Sequence, residues 1–248
     1  MAYFIEFINV HKSFDDRVVL DGVSFGVEKG ETFAILGPSG VGKTVMLTHV
    51  VGLLKPDKGR IIVDGVDITN MSERALAEVR KKVQLVFQSG ALFDSLSVWA
   101  NVAFPLSEAG YTDEEIEKRV AEKLRLVEIE DLGELMPSEL STGMKRAVAI
   151  ARALAGEPKA ILYDEPTTMV DPIMAITIAD LILKLRRRQG ITSVVVTHDM
   201  KLARKLADRV VFLVDGRVAF FGPVNDLDAA PEPVIHDFIQ LDEVSFLK

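Results

Sequence analysis

The sequence contains no cysteine. Disulfides, thiolate metal sites and thiol nucleophiles are therefore excluded, although zero Cys identifies no compartment. Long hydrophobic runs are missing too. A membrane-spanning helix needs about 20 mostly apolar residues, and stretches such as Val210–Val214 stop far short of that. The opening MAYFIEFINV has no basic leader and carries Glu6 inside its apolar run, so it reads as a strand rather than a signal peptide. Positive charge is in deficit, with 29 Lys+Arg against 37 Asp+Glu and a net charge of −8. That balance argues against a nucleic-acid or anionic-membrane binder, both of which want a basic footprint. What is present is apolar mass. Hydrophobic residues make up 48% of 248, enough for one large core or two unequal ones, and too many for a disordered chain.

Short β-branched apolar runs alternate with helical patterns, which predicts an α/β fold with a partly parallel sheet. Strands are expected at Tyr3–Val10, Arg17–Phe25, Thr32–Leu36, Arg60–Val63, Val83–Phe87, Ala160–Tyr163, Thr192–Thr197, Val210–Val214 and Val218–Phe221. The first two read as an antiparallel edge sheet. AILYDE and SVVVTH lack alternation, as strands buried on both faces should. Thr112-Asp113-Glu114-Glu115 is a capping-box pattern opening a helix toward Val127. Asp171-Pro172 pairs an N-cap with proline at the first helical position. Residues 89–157 show no convincing strand and read as a helical insertion. Within it, residues 108–134 hold ten acidic and four basic residues, a pattern expected of a solvated helical face.

After the strand Thr32–Leu36 comes Gly37-Pro38-Ser39-Gly40-Val41-Gly42-Lys43-Thr44, then an apolar helix spanning Val45–Leu54. This is the G-x-x-x-x-G-K-[ST] phosphate loop in its confirming strand–loop–helix context. Its glycines let backbone N–H groups converge on phosphate oxygens, and the helix N-terminus adds a favourable dipole. Lys43 supplies a charge for the outer phosphates, and the Thr44 hydroxyl can ligate Mg²⁺. The apolar strand Ala160–Tyr163 delivers Asp164-Glu165 to the edge of a sheet where ligands sit in open α/β folds. There Asp164 would hold Mg²⁺, and Glu165 would act as general base toward the attacking water. No Asn-Lys-x-Asp guanine-reading motif occurs, so ATP is the expected nucleotide, with Phe14 placed to stack on its base.

With these residues in hand, residues 3–222 resemble the ATP-binding subunit of an ABC transporter. The implied fold is a P-loop NTPase of ABC type: α/β, a mixed sheet core, an antiparallel edge sheet and an inserted helical subdomain. It would occupy 1–225, with the insertion at 89–157 and an appendage at 226–248. Five further elements follow the family's order. Phe14 matches the adenine-stacking aromatic. Gln88 matches the Q-loop glutamine, which senses Mg²⁺ and the membrane partner. Leu140-Ser141-Thr142-Gly143-Met144 matches the signature motif. Met169-Val170-Asp171 matches the D-loop, and His198 the switch histidine at the γ-phosphate. In the family, Ser141 and Gly143 face ATP on a second copy, so the resemblance implies an ATP-sandwich dimer. Thr142, Met144 and Met169 depart from the usual residues, yet Lys43, Asp164, Glu165 and His198 all remain, and an active ATPase is expected. For His11, His49 and His236 the expectation is surface or packing roles.

Gln88-Ser89-Gly90-Ala91-Leu92-Phe93-Asp94-Ser95-Leu96-Ser97-Val98 and LSTGMKRAVAIARAL resemble the Mla/MCE (mammalian-cell-entry) phospholipid-trafficking ATPases, which often carry Met at the position of Met144. The resemblance implies integral membrane permease subunits, an MCE-domain lipid-binding protein and a small regulatory subunit as partners. It also implies a peripheral location on the cytoplasmic face of the inner (plasma) membrane. A transporter for another substrate is the alternative. A chromosome-organising or repair ATPase would carry a long coiled coil, and a translation-type protein two cassettes and a basic face. A dead regulatory module would have lost Glu165 or His198.

Two segments carry further expectations. Gln88 to Phe104 is apolar for a surface connection, through Leu92, Phe93, Leu96, Val98 and Trp99. It either lines a groove for a permease helix or seals the insertion onto the sheet. In the tail, Val234, Ile235, Phe238, Ile239 and Leu241 form an apolar helical stripe, continued by Val244, Phe246 and Leu247. That stripe packs either on its own domain or on a second copy or regulatory subunit; the tail is not expected to be needed for the chemistry, and in the second case its deletion would leave the fold intact.

Overall fold

The computed structural model describes residues 3–244, with side chains to 241. Its elements are β1 (Ile5–Phe14), β2 (Arg17–Val27), β3 (Thr32–Leu36), α1 (Lys43–Val50), β4 (Lys58–Val63), β5 (Val66–Asp67), α2 (Glu73–Lys82) and β6 (Val83–Val86). Three helices follow: α3 (Val98–Glu108), α4 (Asp113–Leu126) and α5 (Thr142–Ala155). The chain continues through β7 (Ala160–Asp164), α6 (Pro172–Gln189), β8 (Thr192–Val196), α7 (Met200–Leu206), β9 (Arg209–Val214), β10 (Arg217–Pro223) and α8 (Pro233–Val244).

Two sheets organise these elements. The larger has six strands in the order β10-β9-β3-β8-β7-β6, parallel throughout except for β10. β3, β7 and β8 are buried along their whole length, which is why their sequences show no alternation. The smaller sheet, β2-β1-β4-β5, is antiparallel. Phe7, Phe25 and Phe33 stack at 4.7 and 5.4 Å between ring centroids, joining the small sheet to β3. Met46, Leu47 and Val50 of α1 bury in the same core.

A second core lies under α3, α4, α5 and α6, around Val102, Val120, Val148, Tyr163 and Ile182. The expected capping box forms: Thr112 N–H donates to Glu115 Oε2 at 2.9 Å, and Glu115 N–H to Thr112 Oγ1 at 3.4 Å. α4 buries Ile116, Val120 and Leu124 while Glu114, Glu117 and Glu122 stay exposed, so the acidic excess is a solvated face.

The tail packs on its own domain. Ile235 and Ile239 are buried with Leu36 and Phe212 in a third core, and Phe238 meets the Phe212 ring edge-on at 5.1 Å. Leu241 remains 70% exposed. Val244 ends α8, and Phe246 and Leu247 lie outside the described residues.

The nine expected strands form; β5, with only two residues, is too short to carry a period. Helix α1 stops at Val50, before the expected Leu54. Gly52 takes a left-handed φ of 67°, and Leu53 N–H donates back to the Thr48 carbonyl at 2.9 Å, a glycine-dependent helix stop.

Candidate active site

The register of the large sheet builds the site. Val196 of β8 pairs with Ile35 of β3 on one side and with Asp164 of β7 on the other. Three neighbouring parallel strands therefore end together, and the segments that leave them carry the phosphate loop, Glu165 and His198.

The loop leaves β3 at Gly37, whose φ is 140°. A Cβ there would lie 2.5 Å from the Leu213 carbonyl oxygen, so the turn requires glycine. α2 to α7 each open on a side-chain cap, from Ser72, Ser97, Thr112, Ser141, Asp171 and Asp199. α1 opens on Gly42 without one. Its first N–H groups are thus left to an anion, with the helix dipole behind them. Lys43 Nζ donates to the Gly37 and Pro38 carbonyls at 2.8 and 3.0 Å, which holds the ammonium over the loop. Burial lowers the Lys43 pKa, while the charges of Glu165 and Asp164 oppose that shift.

Thr44 Oγ1 donates to Asp164 Oδ1 and Oδ2 at 3.0 and 3.1 Å. Asp164 is 6% exposed, and burial raises its pKa against the Thr44 hydrogen bond and the Lys43 charge. A buried carboxylate next to a hydroxyl is a hard, all-oxygen donor set, and it fits a small divalent cation such as Mg²⁺. Among the described residues no three His, Cys, Asp or Glu cluster as a self-sufficient metal site. A cation here would therefore draw its remaining ligands from phosphate, water and neutral side chains such as Gln88, which lines the same cleft as Thr44.

Glu165 sits at φ 47°, a left-handed conformation unusual for a side-chain-bearing residue. Its Oε2 accepts from Thr168 Oγ1 at 2.9 Å and lies 2.9 Å from His198 Nδ1. The carboxylate is thus held from two sides.

A cleft of about 340 Å³ gathers Phe14, Ser39, Gly40, Gly42, Lys43, Thr44, Gln88 and Glu165, together with Arg17, Val19 and Val45. Phe14, at the end of β1, is 43% exposed, with Lys12 Nζ 5.5 Å from its ring centroid. Pro38 and Val41 border a neighbouring cleft with Val214 and Val234. Ser141, Gly143 and Asp171 do not line the nucleotide cleft of their own chain. Ser141 is exposed at the start of α5 and caps it. Gly143 is buried, and a Cβ there would overlap the Met174 side chain. Asp171 Oδ1 accepts from Met174 N–H at 2.9 Å and caps α6. Thr142 lines a second, adjoining cavity of about 480 Å³ with Gln88, Arg146, Asp164 and Met169.

Three residues of the site escape a reading by motif. Arg17 lines the cleft and donates to the Gly40 carbonyl at 3.4 Å. Thr168 holds Glu165, and Arg146 reaches the Glu165 carbonyl from α5. Arg146 alone leaves a trace, as a charged residue inside an apolar helical stretch. The other histidines are structural. His49 is buried, with Nδ1 2.6 Å from the Val45 carbonyl, His11 pairs with Asp21, and His236 Nε2 lies 2.8 Å from the Ala230 carbonyl.

Comparison with known proteins agrees with this geometry. The ABC transporter family profile matches residues 20–168. The methionine import ATP-binding protein MetN of Carboxydothermus hydrogenoformans is 43% identical over 89% of this chain and 66% of its own length. The intermembrane phospholipid transport system ATP-binding protein MlaF of Haemophilus influenzae is 42% identical over 90% of this chain and 85% of its own. The chain thus spans about two thirds of that MetN relative. Among solved structures, the dimeric post-hydrolysis state of the cassette MJ0796 with ADP and Pi superposes with a TM-score of 0.83, at 34% identity over 89% of this chain and 98% of that one. CbiO1 of Clostridium perfringens, part of the transporter complex cbiONQ, gives 0.85 at 32% identity over 100% of this chain and 99% of its own. Phosphate loop, buried Asp164, tethered Glu165 and profile together establish that the chain belongs to the ABC transporter family, as one of its ATP-hydrolysing cassettes.

Proposed function

We propose that this cassette hydrolyses MgATP to drive an intermembrane phospholipid transporter, closing on a second copy of itself with ATP between them. The observation that carries the chemistry is Glu165 Oε2 fixed by His198 and Thr168 in the same cleft as Lys43 and Thr44. Loop N–H groups and Lys43 bind the phosphates, and Phe14 stacks on the base. Thr44, Asp164 and Gln88 would hold Mg²⁺, which would supply charge neutralisation at the phosphates. Glu165 accepts the proton of the attacking water, and His198 holds that carboxylate in place and reaches the outer phosphate. Ser141 and Gly143, with Asp171, serve the nucleotide of the second copy.

The lipid assignment rests on Met144 and the Gln88–Val98 segment, and on the MlaF relative. Its partners are integral permease subunits, an MCE-domain lipid-binding protein and a small regulatory subunit, on the cytoplasmic face of the inner membrane. No described helix is long and apolar enough to cross a membrane. We read 1–225 as the ATPase unit, with 89–157 its helical insertion and 226–248 a supporting tail. Methionine import is the second reading, favoured by the 43% identity to MetN. The test is to purify the chain with its native permease from solubilised membranes and measure ATPase stimulation by phospholipid and by methionine. Stimulation by phospholipid alone supports the proposal; stimulation by methionine alone replaces it. Glu165→Gln in the same complex should bind ATP but not turn it over.

A further inference from the structure

Arg146 lies one turn inside α5, five residues beyond Ser141, and is 2% exposed. A buried guanidinium is costly, and an apolar side chain of similar length would pack on this helix more cheaply. Its hydrogen bonds show what it does there. Arg146 donates from one terminal nitrogen to the Glu165 carbonyl at 2.6 Å, and from the other to the Thr168 carbonyl at 3.2 Å. These are the two ends of the turn whose side chains are themselves joined, Thr168 Oγ1 to Glu165 Oε2. Glu165 occupies a left-handed backbone conformation, which persists only where its surroundings over-determine it. On the other side, Glu165 N–H is fixed by the Val196 carbonyl at 2.9 Å. The planar fork of an arginine spans two carbonyls; a lysine ammonium is a single point charge.

We infer that Arg146 is a positioning residue for hydrolysis, clamping the Glu165–Thr168 turn so that the base keeps its place, and tying that place to the helix that opens at Ser141. This rests on the reading of Glu165 as general base. Its consequence is regulatory. Whatever pulls on the start of α5, including the second copy's nucleotide under the dimer reading, is passed through Arg146 to the turn that carries this chain's own base. Both terminal nitrogens of Arg146 are engaged by the backbone of that turn, so its loss should appear in turnover and not in binding.

The test uses the assembled complex carrying Arg146→Lys, Arg146→Met or Glu165→Gln. It measures kcat, KM for MgATP and melting temperature. Arg146→Met should lower kcat about 20-fold or more with KM within about twofold, and Arg146→Lys should recover part of that loss. Wild-type kcat in a folded Arg146→Met or Arg146→Lys complex would overturn the inference. So would a rise in KM that follows the loss of melting temperature at unchanged kcat, the mark of a purely structural arginine. If Arg146→Met does not fold, Arg146→Lys carries the test alone. Full turnover by Glu165→Gln strikes the base assignment itself, whereas an inactive Glu165→Gln beside a fully active Arg146→Lys strikes only the inference.

Discussion

His198 Nδ1 lies 2.9 Å from Glu165 Oε2, although the two residues leave different strands. The contact follows from the pairing of Asp164 with Val196 across β7 and β8, which ends both strands at one level. Removing the imidazole frees the carboxylate on that side. His198→Ala should keep ATP affinity within about twofold and lower kcat by about 10²-fold, the range for loss of one positioned acid–base partner. Steady-state hydrolysis alongside binding of a fluorescent ATP analogue separates the two. Equal loss of both would make His198 a binding residue.

His49 makes acid stability measurable. Burial lowers its pKa from the usual 6.5, against a helix hydrogen bond to Val45 that raises it. The folded state therefore keeps His49 neutral, while the unfolded chain takes up a proton near pH 6.5. Stability from this group is present above that pH and is lost as pH falls toward the lower folded value. The paired carboxylates titrate further down, below their usual 3.8. Denaturant midpoints at pH 7.5 and 5.5 should differ in wild type and differ less in His49→Gln.

Thr142 stands exposed at the first position of α5, and its side chain borders the cavity shared with Gln88 and Asp164. Its side chain has open space beside it. Thr142→Gly should therefore fold normally and change ATP-driven dimer affinity by no more than about 1–2 kcal/mol. Sedimentation of Glu165→Gln with and without the substitution reads that affinity. Complete loss of hydrolysis would assign Thr142 a direct catalytic part.

The tail is a structural element of its own domain. Ile235 is fully buried beside Leu36, the residue that precedes the phosphate loop. Deleting 226–248 should destabilise the fold rather than leave it intact, because the face carrying Phe212 would be stripped of Ile235, Phe238 and Ile239. Ile235→Ala alone should cost about 2–5 kcal/mol in chemical denaturation. Exposed Leu241 marks the part still free to meet a second copy or subunit. Leu241→Glu tests that part, with native mass spectrometry of the nucleotide-free complex as the readout; unchanged assembly removes Leu241 from any interface.

The segment from Gln88 to Phe104 divides between two jobs. Val98 and Val102 are fully buried in the helical core, whereas Phe93, Trp99 and Phe104 are each more than a third exposed. Phe93 and Phe104 lie 4.7 Å apart and form one outward pair. We expect this pair to mark the permease contact. The absence of native cysteine makes Ser95→Cys or Ser89→Cys a unique crosslinking site. Failure of both to reach the permease in the assembled complex would move the contact elsewhere.

The chemistry of this protein was written in contiguous strings. Gly37–Thr44, Asp164-Glu165 and His198 each follow an apolar strand, and local backbone geometry suffices to make each a loop at a strand end. The strands were legible for the same reason, since burial on both faces shows as unbroken apolar runs. The family's motif order then named the roles. What no window of sequence held was who meets whom. The strand order β3-β8-β7 sets Glu165 beside His198. The packing of α5 between β6 and α6 brings Arg146 to the Glu165 carbonyl, and Met174 covers Gly143. The apolar stripe of α8 announced that it must pack, and only the assembled sheet decided that Phe238 meets Phe212 of β9. Each of these contacts joins residues far apart in the chain, and its energy exists only once the whole sheet is assembled, so local pattern fixes the pieces and tertiary packing fixes the pairs.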